Sequence, residues 1–198
     1  MSEARAMSEG MYRFLKWTAI TLAAAWVGWS IYDTMVAPRN PGDLAYLDAN
    51  TLFEDGEYAR ALALYDEALA IDSNHIHALR GRARTLMQME RFEEARAAFD
   101  DAIARAPDFG ASYANRGILY DRMGDYERAI ADYEKALELD AELAEGPHWL
   151  TRFLRKQPQK PPGIAERAAY LRAELAKPED ERLLRVPELD AAQRSYKQ

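Results

Sequence analysis

Residues 110–143 read GASYANRGILYDRMGDYERAIADYEKALELDAEL. Two apolar patterns of helical period flank Met123-Gly124-Asp125, and a Gly-Asp step between such patterns marks a turn. The same arrangement recurs upstream at a period of 34 residues. Tyr58, Phe92 and Tyr126 share one column, Ala61, Ala95 and Ala129 the next, then Tyr65, Phe99 and Tyr133, then Ala68, Ala102 and Ala136. Gly56 and Gly124 share a column with Glu90 between them, while Ala49, Ala83 and Gly117, and Leu52, Leu86 and Tyr120, align earlier in each unit. A small residue at a fixed column lets two helices approach closely, and a neighbouring aromatic fills the gap that remains. One such helix pair cannot bury its apolar face alone, so the units must stack, leaving one concave surface.

This pattern resembles the tetratricopeptide repeat (TPR) family over residues 42–143, as three units at 42–75, 76–109 and 110–143. The third unit matches almost throughout and the second closely, whereas the first carries Asp48 in a normally apolar column of its opening helix. The expected fold class is all-α: a TPR α-solenoid of three repeats plus a capping helix at 144–157 (AEGPHWLTRFLRKQ), with Leu150, Phe153 and Leu154 as its apolar stripe. Pro158 to Gly163 then breaks the helical pattern. The remainder of 158–198 reads as an amphipathic helix over 164–177, with Ala168, Leu171 and Leu175 on one face, and an extended tail that docks.

The N-terminal end has a different character. Trp17 to Tyr32 is an uncharged run of 16 residues, extended by Phe14 and Leu15 on one side and Thr34 to Ala37 on the other. Trp17 near one end, and Trp26, Trp29 and Tyr32 near the other, suit the two interfaces of a bilayer. Residues 14–37 are therefore expected to form an uncleaved transmembrane anchor, after a short segment at 1–13 and before a Pro-containing linker at 38–41. Arg5, Arg13 and Lys16 precede the span and only Arg39 follows closely, which places the N-terminus in the cytoplasm. The repeats then lie outside the inner membrane, in the periplasm of a Gram-negative cell. Ala24 and Gly28 make one small-xxx-small pair that would support homodimerisation.

Composition narrows the chemistry. The 198 residues are 48% apolar and 30% charged, too apolar for a disordered chain and too charged for a polytopic membrane protein. No Cys is present, so thiol nucleophiles, disulfides and Cys-ligated metals are excluded. His75 and His77, spaced by two on a helix, point apart and do not share a metal. No phosphate-cradling glycine loop, nucleophile elbow or His-based metal motif occurs, so neither enzymatic activity nor a cofactor is expected. The net charge of −7 is unevenly placed: residues 42–143 carry −11 and residues 144–176 carry +3. An acidic repeat domain without a basic stripe disfavours nucleic acid.

The resemblance implies that the first helix of each unit lines the concave groove. In that register the lining residues are Tyr46, Asn50 and Phe53; His77, Arg80, Arg84 and Met87; Ala111, Ala114, Asn115, Ile118 and Asp121; then His148 and Arg152. Arg is suited to bidentate capture of carboxylates and Asn to holding peptide backbone. Arg80, Arg84 and Asn115 match in position part of the carboxylate clamp of some TPR co-chaperones, but Glu145 and Trp149 stand where further basic residues belong. The expected function is a membrane-anchored scaffold or chaperone-like adaptor that holds a polypeptide partner, itself membrane-associated, in the groove. The alternative is an accessory subunit of a larger membrane complex, in contact through the anchor and the tail. Should the tail fold back, Leu183, Leu184 and Val186 would plug the groove.

Overall fold

The computed structural model describes residues 2–35, 40–144, 163–186 and 196, and among these there are eight α-helices and no strand. Two compact units are present, residues 1–40 and 41–198. The first is the single helix α1, Ser2–Met35. Within it Glu9–Tyr32, 24 residues of mean hydropathy 1.2, is long and apolar enough to cross a bilayer. Its Trp17, Trp26 and Trp29 are exposed. The Thr18 and Thr21 hydroxyls donate to the Phe14 and Trp17 carbonyls (both 2.9 Å), so neither leaves an unpaired donor in an apolar span.

The second unit is built from helix pairs: α2 (Asp43–Glu54) with α3 (Tyr58–Ile71), α4 (Ile76–Gln88) with α5 (Phe92–Arg105), and α6 (Gly110–Met123) with α7 (Tyr126–Leu139). α3 packs on α4 and α5 on α6, while α2 touches α4 and α4 touches α6, so the first helices of the pairs form one continuous wall. The alanine columns at 61/95/129 and 68/102/136, and the aromatic column at 65/99/133, are 0% exposed throughout. The period seen in the sequence is thus the period of the core. Burying each aromatic ring contributes about 1.5–3 kcal/mol. The third unit shows how close the approach is: a Cβ on Gly117 would lie 2.7 Å from the Tyr133 ring. Asp48, out of place in its column, points to solvent.

The turns inside the units share a conformation. Gly56, Glu90 and Gly124 all adopt positive φ (80°, 59° and 83°), the left-handed state that ends a helix. Glycine takes this state without penalty; Glu90 holds it at a cost of about 1–2 kcal/mol. Asp125 caps α7, its carboxylate accepting the Arg128 N–H at 3.3 Å.

The open face of α7 is covered by α8, Ile164–Leu175, through Ile164, Ala168 and Leu171. The apolar stripe therefore begins one turn earlier than expected, and Leu175 is only partly buried. Beyond Ala144 the expected capping helix at 144–157 lies outside the described residues. α8 starts where the chain meets the end of the repeats, since a Cβ on Gly163 would lie 3.0 Å from the Ala144 carbonyl oxygen.

Candidate peptide-binding groove

The two walls of the repeat unit use charge differently. On α5 and α7 the ion pairs are local and exposed: Arg91 with Glu94 (2.6 Å), Arg96 with Glu93 (3.0 Å), Arg105 with Asp101 (2.8 Å) and Lys135 with Glu138 (3.0 Å). Other pairs join one helix to another. Arg82 donates to Asp66 (2.6 Å), and Arg116 on α6 clamps Asp132 on α7 and Asp100 on α5, each at 2.7 Å. The Arg116 guanidinium is held firmly in its charged form, chiefly by its bond to Asp132.

The wall of first helices is largely closed. Arg80 and Arg84, one turn apart on α4, are 5% and 6% exposed. Each guanidinium lies under an aromatic lid: Phe109 at 3.6 Å from Arg80, Phe53 at 4.5 Å from Arg84. A desolvated guanidinium under a ring face gains on the order of 2 kcal/mol from that contact. Burial lowers the Arg80 pKa, against the attraction of Asp108, and its buried Nε has no hydrogen-bond partner.

Near the N-terminal end, Tyr46 is half-buried, with its ring 5.1 Å from that of His75 and 5.9 Å from that of His77. His75 Nδ1 accepts the Ala78 N–H and caps α4, while Nε2 lies 2.9 Å from an Asp43 carboxylate oxygen. That leaves Nε2 as the protonated nitrogen and gives His75 a structural role. His77 is exposed. Asn50 is turned to the core, its Oδ1 accepting the Tyr65 hydroxyl at 2.6 Å. Burial raises the pKa of that phenol above its ordinary range. Met87 and Ile118 are fully buried.

The C-terminal end of the wall is the most ordered in its polar contacts. Asp121 on α6 accepts two bonds from Arg167 on α8, at 2.7 and 2.8 Å, and one from the Tyr133 hydroxyl at 3.2 Å. Asn115, 2% exposed, holds a main chain: its Nδ2 donates to the Tyr196 carbonyl (3.1 Å) and its Oδ1 accepts the Tyr196 N–H (2.7 Å). The chain after α8 is tied down as well. Arg167 donates to the Leu184 carbonyl (3.1 Å), the Tyr170 hydroxyl to that of Leu183 (2.6 Å), and Arg185 to that of Arg122 (2.9 Å). Glu174 accepts from Lys177 and from the Leu183 N–H, and these bonds, Lys177 first, hold its carboxyl below the ordinary range.

Of the residues read as groove-lining, α4 and α6 thus bring Arg80, Arg84, Met87, Asn115, Ile118 and Asp121 onto one wall, all of them buried, and α2 contributes Tyr46 and Asn50. His148 and Arg152 lie outside the described residues. As a plug, Leu184 packs on the core but Leu183 is 59% exposed. Sequence reasoning missed Tyr196 and Arg167. Arg167 carried a signal, because it interrupts the Ile164, Ala168 and Leu171 stripe, and a charge in a buried stripe requires a partner. Among the described residues no three His, Asp or Glu side chains gather to hold a metal ion.

Known proteins agree with this geometry. Tetratricopeptide repeat family models match residues 52–115 and 111–142. The chain is 31% identical over 96 residues to a DnaJ homolog subfamily C member 7 homolog of Schizosaccharomyces pombe, spanning 46% of this chain and 20% of that protein. It is 32% identical over 80 residues to the TPR repeat-containing thioredoxin TTL4 of Arabidopsis thaliana, spanning 40% of this chain and 12% of that one. The chain therefore spans a fifth or less of these relatives. Among solved structures, the first TPR of Spaghetti (RPAP3) bound to the HSP90 peptide SRMEEVD is similar at a TM-score of 0.50, with 23% identity, over 62% of this chain and 94% of that one. The Arabidopsis OM64 TPR domain is similar at 0.50 and 18% identity, over 59% and 93%. Residues 52–142 are tetratricopeptide repeats.

Proposed function

We propose that this chain is a membrane-anchored adaptor that holds a polypeptide partner along the wall formed by α2, α4 and α6. The observation that carries the reading is the Asn115 carboxamide, which engages both the N–H and the C=O of one non-helical residue. A buried side-chain amide set to pair with both groups of a main chain is a device for holding peptide, independent of that peptide's side chains. A TPR protein of similar fold has been solved with a short peptide bound, in line with a peptide-holding role.

Residues 14–37 anchor the protein in the inner membrane, with the N-terminus in the cytoplasm and the repeats in the periplasm. This rests on the exposed apolar face of α1 and on Arg5, Arg13 and Lys16 preceding the span. The accessory-subunit reading requires the tail for outside contacts, and residues 183–185 are instead bonded to α6 and α8. The partner is best sought by crosslinking in native membranes, comparing the wild type with Asn115→Ala. A partner captured by the wild type and lost from a variant of unchanged helical content supports the reading. Equal capture by both contradicts it.

A further inference from the structure

Tyr196 occupies the groove with its side chain as well as its main chain. Its phenol enters a pocket bounded by α6, by the short helical turn at Ala141–Ala144 and by the start of α8. There the hydroxyl accepts the Ile164 N–H (3.3 Å) and donates to the Leu143 carbonyl (3.2 Å). Both groups are helix-terminal and have no partner within their own helices, so something must satisfy them. One donor and one acceptor at the end of an apolar slot, a ring's length from a clamp for main chain, fit a phenol. A phenylalanine would leave both unpaired, and an ionised side chain would be desolvated without a countercharge. The ring packs on the apolar cluster that runs from α4 to α8. Burial raises the phenol's pKa, which keeps the proton that Leu143 requires.

We infer that the groove between α6 and α8 is a tyrosine-reading peptide site, filled in the free protein by the chain's own Tyr196. This rests on the peptide-binding reading above and adds two things to it: the ligand is a non-helical peptide bearing tyrosine, and the tail is a built-in competitor. The tether fixes the strength of the competition. Tyr196 is ten positions beyond Val186 in the same chain, and a ligand joined covalently to its own site at short range presents a high effective concentration. An incoming peptide must exceed that to displace the tail.

The test uses the full chain in nanodiscs and a labelled nonapeptide of residues 190–198, DAAQRSYKQ. Tyr196→Ala vacates the pocket, and this variant should bind the peptide at least about tenfold more tightly than the wild type. The same peptide with phenylalanine for its tyrosine should bind the variant roughly 10- to 100-fold more weakly, the cost of leaving two buried polar groups unpaired. The double variant Tyr196→Ala/Asn115→Ala, checked for unchanged helical content, should lose binding. Equal uptake by wild type and Tyr196→Ala would overturn self-occupation while leaving the adaptor reading intact. Equal binding of the tyrosine and phenylalanine peptides would overturn the pocket's chemistry, as would failure of Tyr196→Ala to bind the tyrosine peptide at all. Uptake by the wild type that rises on dilution would assign the tail to a second copy of the chain and overturn the intramolecular contact.

Discussion

The two walls of the repeat unit carry similar side chains to opposite ends. Along α5 and α7, basic and acidic residues stand three or four positions apart in water, each pair within one helix or, for Arg91, at its N-cap. On α4 and α6, Arg80, Arg84, Asn115 and Asp121 are almost fully buried, and their partners come from elsewhere in the chain: Phe109, Phe53, Tyr196 and Arg167. Local exposed pairs contribute about 0.2–1 kcal/mol because water competes for both charges. A buried pair is different, since losing one member leaves a charge with neither water nor partner. Net charge alone hides this distinction; the wall on which a charge stands decides what it does.

The largest effect is expected at Asp121. Its replacement by alanine strands the Arg167 guanidinium and the Tyr133 hydroxyl in the core, and should cost on the order of 3–5 kcal/mol. Thermal unfolding followed by circular dichroism measures this, and a loss under 1 kcal/mol would refute the difference between the walls. Glu90→Gly probes the turn that joins α4 to α5. It relieves a left-handed glutamate and should stabilise the protein by about 0.5–1 kcal/mol, even after the extra freedom of glycine in the unfolded chain. Destabilisation by the same assay would show that Glu90 is fixed by contacts rather than by the turn. The smallest effect belongs to the outer wall, where Glu93→Gln removes one exposed partner of Arg96 and should change stability by no more than about 0.5 kcal/mol.

These differences also explain what the sequence disclosed. The alanine and aromatic columns were legible because every unit must solve the same packing problem at the same spacing; both alanine columns and the 65/99/133 aromatic column are fully buried, and Tyr58, Phe92 and Tyr126 are partly buried. The turn column was legible through Gly56 and Gly124, and Glu90 occupies the same conformation because its place in the repeat demands it. The first helices could be assigned to one wall by register. Which chain segment covers that wall was not legible. Asn115 and Tyr196 lie 81 positions apart, and the contact between Arg167 and Asp121 spans 46. Neither belongs to the repeat, so no periodicity announces it. The arginines at 80 and 84 suggested an open cationic groove, but Phe109 and Phe53 stack on them and the wall is closed. The long apolar helix near the N-terminal end was legible from composition alone, being an uncharged run with aromatic ends.

The inner wall holds main chain through Asn115. The most direct measurement is the hydrogen-exchange rate of the Tyr196 amide in the full chain labelled with [15N]tyrosine. The structure predicts slow exchange in the wild type and fast exchange in Asn115→Ala, with Tyr133, deep in the repeat core, unchanged between the two. Exchange of Tyr196 in the wild type at the rate of an unstructured peptide would contradict the account.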